Sequence, residues 1–206
     1  MNAFAALLLV VAAPDPVVGT YSMNDGPDVA SQLVIGADGR FSYGIIAGAA
    51  DYHAQGRWVR DGASIRLTTE PKPVPPTFSA GKVGRTADGP MMVVVRDPKG
   101  GPIAGIDFRI GMADGDVVEG YTQEEGWTVN SGKFGKPMWV ELSLPMFNLA
   151  PQRFPIDPAK GNLFEFTFTP NDLGAMDFRA EPFVVTATGL EQRMQGHAME
   201  WVRAKK

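Results

Sequence analysis

Residue types that carry chemistry are sparse in this chain. Its only imidazoles are His53 and His197, and it has no cysteine. Thiolate nucleophiles, disulfides and thiolate metal sites are therefore excluded, and two histidines alone make a poor transition-metal set. Two carboxylate pairs stand out, Asp114/Asp116 and Glu124/Glu125. Asp-Gly-Asp could open a calcium loop, but such a loop needs several oxygen ligands at tight spacing, and Val117-Val118 supply none from their side chains. Turn chemistry accounts for it, and Glu124-Glu125 reads as a solvated turn. Nothing marks a carboxylate pair for glycoside cleavage. No serine sits in a Gly-x-Ser-x-Gly elbow. The Gly-Gly turn at Pro98–Pro102 leads into a strand rather than a helix, which removes a phosphate-loop reading. No catalytic residue, metal ligand or cofactor is assigned.

Binding is the chemistry that remains, and Tyr43, Trp58, His197 and Trp201 are the candidate ligand-binding residues. Their positions follow from parity, because successive side chains of a strand point to opposite faces. Phe41, Tyr43 and Ile45 share one face, as do Ala54, Gly56 and Trp58, and as do His197, Met199 and Trp201. Inward aromatics of a small barrel either line a cavity or fill the core. His197 would be a satisfied core histidine or a polar handle in such a cavity. His53 has the parity of Gln55 and Arg57 and is expected to face solvent.

The elements that must position these residues are strands. Asp-Gly pairs at Asp25, Asp38, Asp61, Asp88 and Asp114 fall between alternating runs, a strong hairpin signal. The first three of them divide residues 20–69 into five successive strands. The proline-dense EPKPVPP at 70–76 cannot feed a ladder and reads as an extended connection. A β-rich run, Met91 to Trp127, follows. Pro145–Gly161 reads as a second irregular connection. Phe164, Phe166 and Phe168 then alternate, and the tail holds two or three further strands. Five early strands alone bury little and leave two open edges. The expected fold is therefore all-β. An antiparallel barrel or meander of about eight strands is built from residues 15–76 and 160–206, and residues 77–159 form an inserted β-sandwich. Three small modules in series is the alternative.

Bulk properties narrow the partners. The apolar fraction of 44% suffices for a buried core, and a net charge of −4 with no basic block argues against nucleic acid and anionic membrane surfaces. Ala3–Ala13 is a short apolar run ending in small residues and fits a signal-peptide core, so residues 1–13 are expected to direct export to the periplasm or beyond. No later segment is long enough to span a membrane, and the mature protein is expected to be soluble.

Residues 91–145 carry the strand Val93–Arg96, then Asp97, Gly100, Pro102-Ile103-Ala104-Gly105, the strand Ile106–Ile110, Gly120-Tyr121-Thr122 and Gly126-Trp127. This stretch resembles the carboxypeptidase-regulatory-like family, whose fold is transthyretin-like; Gln123 stands where that family usually has aspartate. The resemblance implies a seven-stranded sandwich used for adhesion, stability or carbohydrate contact, usually without catalysis. The His-x-His iron site and the Tyr-Arg-Gly-Ser terminus of enzymes on related sandwiches are missing from this chain. Residues 17–69, from Gly19-Thr20-Tyr21 through Gly56-Arg57-Trp58 to Ile65-Arg66-Leu67, look like small lipocalin-like bacterial domains.

Three functions stay open at this point. The first is an exported, non-enzymatic protein that binds a small apolar ligand in the barrel or an envelope partner. The second is a hydrolase acting on envelope carbohydrate or peptide. The third is a structural or stabilising module.

Overall fold

The structure, a computed structural model, describes residues 15–23, 26, 28–87, 89, 91–128, 134–194 and 196–205. The expected export segment 1–13 lies outside them, as do Asp25, Asp88 and Gln195. The described chain is all-β. Five strands come first: β1 (Gly19–Ser22), β2 (Val29–Ile35), β3 (Arg40–Ala47), β4 (Ala50–Asp61) and β5 (Ser64–Thr69). Next are β6 (Thr77–Gly84), β7 (Met92–Arg96), β8 (Asp107–Met112), β9 (Val117–Tyr121) and β10 (Trp127–Thr128). Then follow β11 (Pro137–Leu144), β12 (Leu149–Pro155) and β13 (Leu163–Thr169), and finally β14 (Glu181–Val185), β15 (Gly189–Met194) and β16 (His197–Arg203). Among the described residues, no helix is long and apolar enough to cross a membrane.

Two compact units result: one runs to Pro73 and resumes at Gly174, and the other is Val74–Leu173. The first is a closed antiparallel barrel in the order β1-β16-β15-β14-β5-β4-β3-β2. The N- and C-terminal strands thus share one sheet, and closure leaves no bare edge. Gly39 and Gly62 take φ of 78° and 56° in the Asp-Gly turns after β2 and β4, which is the conformation those turns require. Inward parity holds along β3, where Phe41, Tyr43 and Ile45 are buried, and along β5, where Ile65 and Leu67 are buried.

The second unit is two four-stranded sheets, β10-β7-β13-β6 and β12-β11-β8-β9. One core lies between them, with Val93, Val95, Phe164 and Phe166 from the first sheet and Phe108, Ile110, Val140 and Leu142 from the second. All pairings in it are antiparallel except β7 with β13. Thr122, fully buried, knits the Pro102–Gly105 turn to β8. Its hydroxyl donates to Ile103 O at 2.8 Å and accepts from Ile106 N at 3.1 Å, and its carbonyl accepts from Gly105 N at 2.7 Å.

The structure moves the expected boundary. Residues 160–173 belong to the sandwich and not to the barrel, because Phe164, Phe166 and Phe168 bury against the sandwich core and β13 pairs with β6 and β7. The expected irregular connection at Pro145–Gly161 is likewise corrected. It contains β12, and prolines 151 and 155 are tolerated there because β12 is an edge strand.

Candidate functional site

The barrel interior brings two of the four candidate residues together. β3 turns Tyr43 inward and β16 turns Trp201 inward; both are buried, and their rings lie 5.1 Å apart. Between them reaches Gln192, set inward on β15 by alternation with Leu190 and wholly buried. Its amide oxygen accepts from Trp201 Nε1 at 3.4 Å and from the Tyr43 hydroxyl at 3.5 Å. The indole N–H can only donate, so the oxygen end of the amide must face it. Nε2 is then turned elsewhere and has no hydrogen-bond partner among the described residues. Both contacts to the oxygen are longer than ordinary hydrogen bonds and correspondingly weak.

A third ring closes one side. Phe178 meets Tyr43 edge-on at 5.0 Å and lies 6.1 Å from both Phe41 and Phe183. Its segment is irregular, and Thr69 anchors it. The Thr69 hydroxyl donates to Met176 O at 2.7 Å and accepts from Phe178 N at 3.0 Å, while Thr69 N donates to Phe178 O at 2.9 Å. Further along, His53 and Met176 continue the attachment: Met176 N donates to His53 O at 2.8 Å and His53 N to Gly174 O at 3.0 Å.

Electrostatically the site is neutral. Burial pushes the Tyr43 phenol well above its ordinary value, the Gln192 contact opposes that shift, and Glu181 adds to it. Tyr43 is therefore a neutral donor throughout the physiological range. Glu181, at the start of β14, has its own carboxyl raised by burial.

The other two candidates sit elsewhere. Trp58 keeps its expected inward parity but is only half-buried, and its indole N–H donates to Gly36 O at 2.8 Å. It pins the turn between β2 and β3, whose Gly39 carbonyl also accepts from Trp58 N at 2.9 Å. His197 is exposed, which corrects the inward expectation. It is the first residue of β16, directly after the turn at Gly196, so parity with Trp201 carries it past the packed layer into solvent. His53 is exposed as its parity required. Among the described residues, no three His, Asp or Glu side chains are grouped to hold a metal ion.

Sequence reasoning missed Gln192, Phe178 and Thr69. Gln192 carried a usable signal, since it shares parity with Leu190 on a strand whose partner face holds Trp201. Phe178, between Asp177 and Arg179 in an irregular stretch, carried none.

Comparison with protein-family models, with curated proteins and with solved structures returns no match to this chain.

Proposed function

We propose that this is a non-enzymatic binding protein whose barrel receives a small apolar molecule bearing a hydrogen-bond acceptor, acting after export in the periplasm or outside the cell. One observation carries the reading: the amide nitrogen of Gln192 is buried among aromatic rings without a partner. Native interiors pair nearly all such donors, and an unpaired one costs about 1–3 kcal/mol. A carbonyl on a bound molecule would take that bond while its apolar body lay against Tyr43, Phe178 and Trp201. Eight strands is the size at which a barrel either fills with side chains or holds one small ligand. The proposal keeps the lipocalin-like likeness of residues 17–69 for the barrel and the carboxypeptidase-regulatory-like likeness of residues 91–145 for a supporting sandwich. The apolar run at Ala3–Ala13 supports the compartment.

A second reading, a purely stabilising module, draws support from the ring contacts of 5.0–6.1 Å that Phe178 makes with its neighbours. Titration of the full chain with 6-propionyl-2-(dimethylamino)naphthalene, an apolar ketone with polarity-sensitive emission, separates the two. Binding predicts a saturable blue shift, weakened about three- to tenfold in Gln192→Leu by loss of one hydrogen bond. A stabilising module predicts no saturable shift in either protein.

A further inference from the structure

The sandwich holds a separate pocket that the barrel reading does not use. The two sheets end side by side at edge strands β6 and β12, and between those edges opens a groove of about 310 Å³. Its geometry follows from an irregularity in the ladder. Ala80 pairs with Phe166 and Val83 with Phe164, so Gly81 and Lys82 together oppose the single residue Glu165. Such a bulge bends an edge strand and ends its regular pairing. The bend leaves Val83 46% exposed along the groove wall, and the floor is aromatic, with Phe154 and Phe166 rings 5.2 Å apart.

One end is closed by the turn that follows Ile156. Its backbone is fixed: Asp157 Oδ1 accepts from Ala159 N at 3.0 Å, Lys160 N donates to Asp157 O at 3.1 Å, and Arg85 Nη2 donates to Ala159 O at 3.2 Å. Lys160 therefore stands at the rim with the Arg85 guanidinium tied to the same turn. Neither cation has an ion-pair partner among the described residues. Of the two acids in the lining, Glu165 is paired with Arg96 at 3.1 Å; Asp157 accepts from Ala159 N and keeps its charge, so it offsets one of the two cations at this turn and leaves a net single positive charge there. An apolar slot with surplus positive charge at one end suits a molecule with an apolar body and one anionic group. The volume lies at the small end of ligand pockets, which suits a small molecule.

We infer that this groove binds a small apolar carboxylate, its apolar part between β6 and β12 and its anionic group at Lys160. The inference is independent of the barrel proposal, because every residue in it lies in Val74–Leu173. The probe is 4-phenylbutyrate, with the uncharged 4-phenylbutyramide as its control, each titrated into the full chain labelled with nitrogen-15. Saturable amide shifts are expected at β6, β12 and residues 156–161. The carboxylate should bind more tightly than the amide. Lys160→Glu, at an exposed turn position, should weaken the carboxylate about tenfold and leave the amide unchanged. Val83→Trp, which fills the groove from an exposed position, should abolish binding of both. The inference is overturned by any of four results: no saturable shifts at these residues, equal affinity for acid and amide, carboxylate affinity unchanged in Lys160→Glu, or carboxylate binding that survives Val83→Trp.

Discussion

The indole nitrogen of Trp201 lies 3.4 Å from the amide oxygen of Gln192 inside the closed barrel. That one contact fixes which way the amide points, because an indole N–H cannot accept. It leaves Gln192 Nε2 as a buried donor directed at no protein group among the described residues.

Gln192→Leu removes one unpaired donor but orphans two others, Trp201 Nε1 and the Tyr43 hydroxyl. The balance is one more buried donor without an acceptor, so the substitution should destabilise the barrel by about 1 kcal/mol, the low end of the range for long contacts. Urea denaturation followed by tryptophan emission measures it. An unchanged midpoint would mean that the two contacts contribute nothing.

Thr69→Val keeps the shape and removes the hydroxyl that both donates to Met176 O and accepts from Phe178 N. A loss of about 1–3 kcal/mol is expected for the orphaned backbone groups. Hydrogen exchange at the Phe178 amide should accelerate more than at β3 amides. Uniform acceleration across the barrel would show that Thr69 does not anchor this segment in particular.

The phenol of Tyr43 has its folded value raised by burial. An unfolded tyrosine ionises near pH 10, whereas the folded one keeps its proton to higher pH. The folded state then binds more protons above pH 10, so its stability is complete below that pH and falls as pH rises through it. Tyr21, raised by burial against the opposing effect of Arg203, adds to the same loss. Tyr43→Phe should make the alkaline decline shallower between about pH 10 and 11.5, as read from the urea midpoint at each pH. Identical slopes for the two proteins would contradict the assignment.

In the sandwich, Trp139 lies over Gly111 with the Arg153 guanidinium 3.8 Å from its ring centroid. A Cβ on Gly111 would overlap the indole of Trp139. Gly111→Ala must therefore displace the ring, at a cost of about 1–3 kcal/mol, as for overpacking elsewhere. Tryptophan emission should shift to the red as Trp139 gains solvent. A mutant with wild-type emission and stability would contradict the described packing.

Much of the architecture was legible because period-2 alternation is a local property. Phe41, Tyr43 and Ile45 announce their inward face, and five early strands with a short tail call for closure into one barrel. The boundary near residue 160 was not legible. Phe164, Phe166 and Phe168 would suit the inner face of either sheet, and only their burial against Phe78, Val93 and Phe154 decides it. β12 was hidden by its prolines, which argue against a central strand but not against an edge. Within the site, Tyr43 and Trp201 were legible from parity. His197 failed because parity says which way a side chain points, not how far along the strand the core extends. Phe178 and Thr69 act through contacts between irregular and regular segments more than a hundred positions apart, and no periodicity encodes that.

The central claim is that Gln192 Nε2 donates to a bound apolar molecule. It is tested most directly by nitrogen-15 NMR of the Gln192 side-chain amide, assigned through its loss in Gln192→Leu, with and without the naphthyl ketone. The account predicts that one amide proton moves downfield as the ketone saturates the barrel, together with perturbation of the Trp201 indole signal. Both resonances staying fixed across the titration would contradict it.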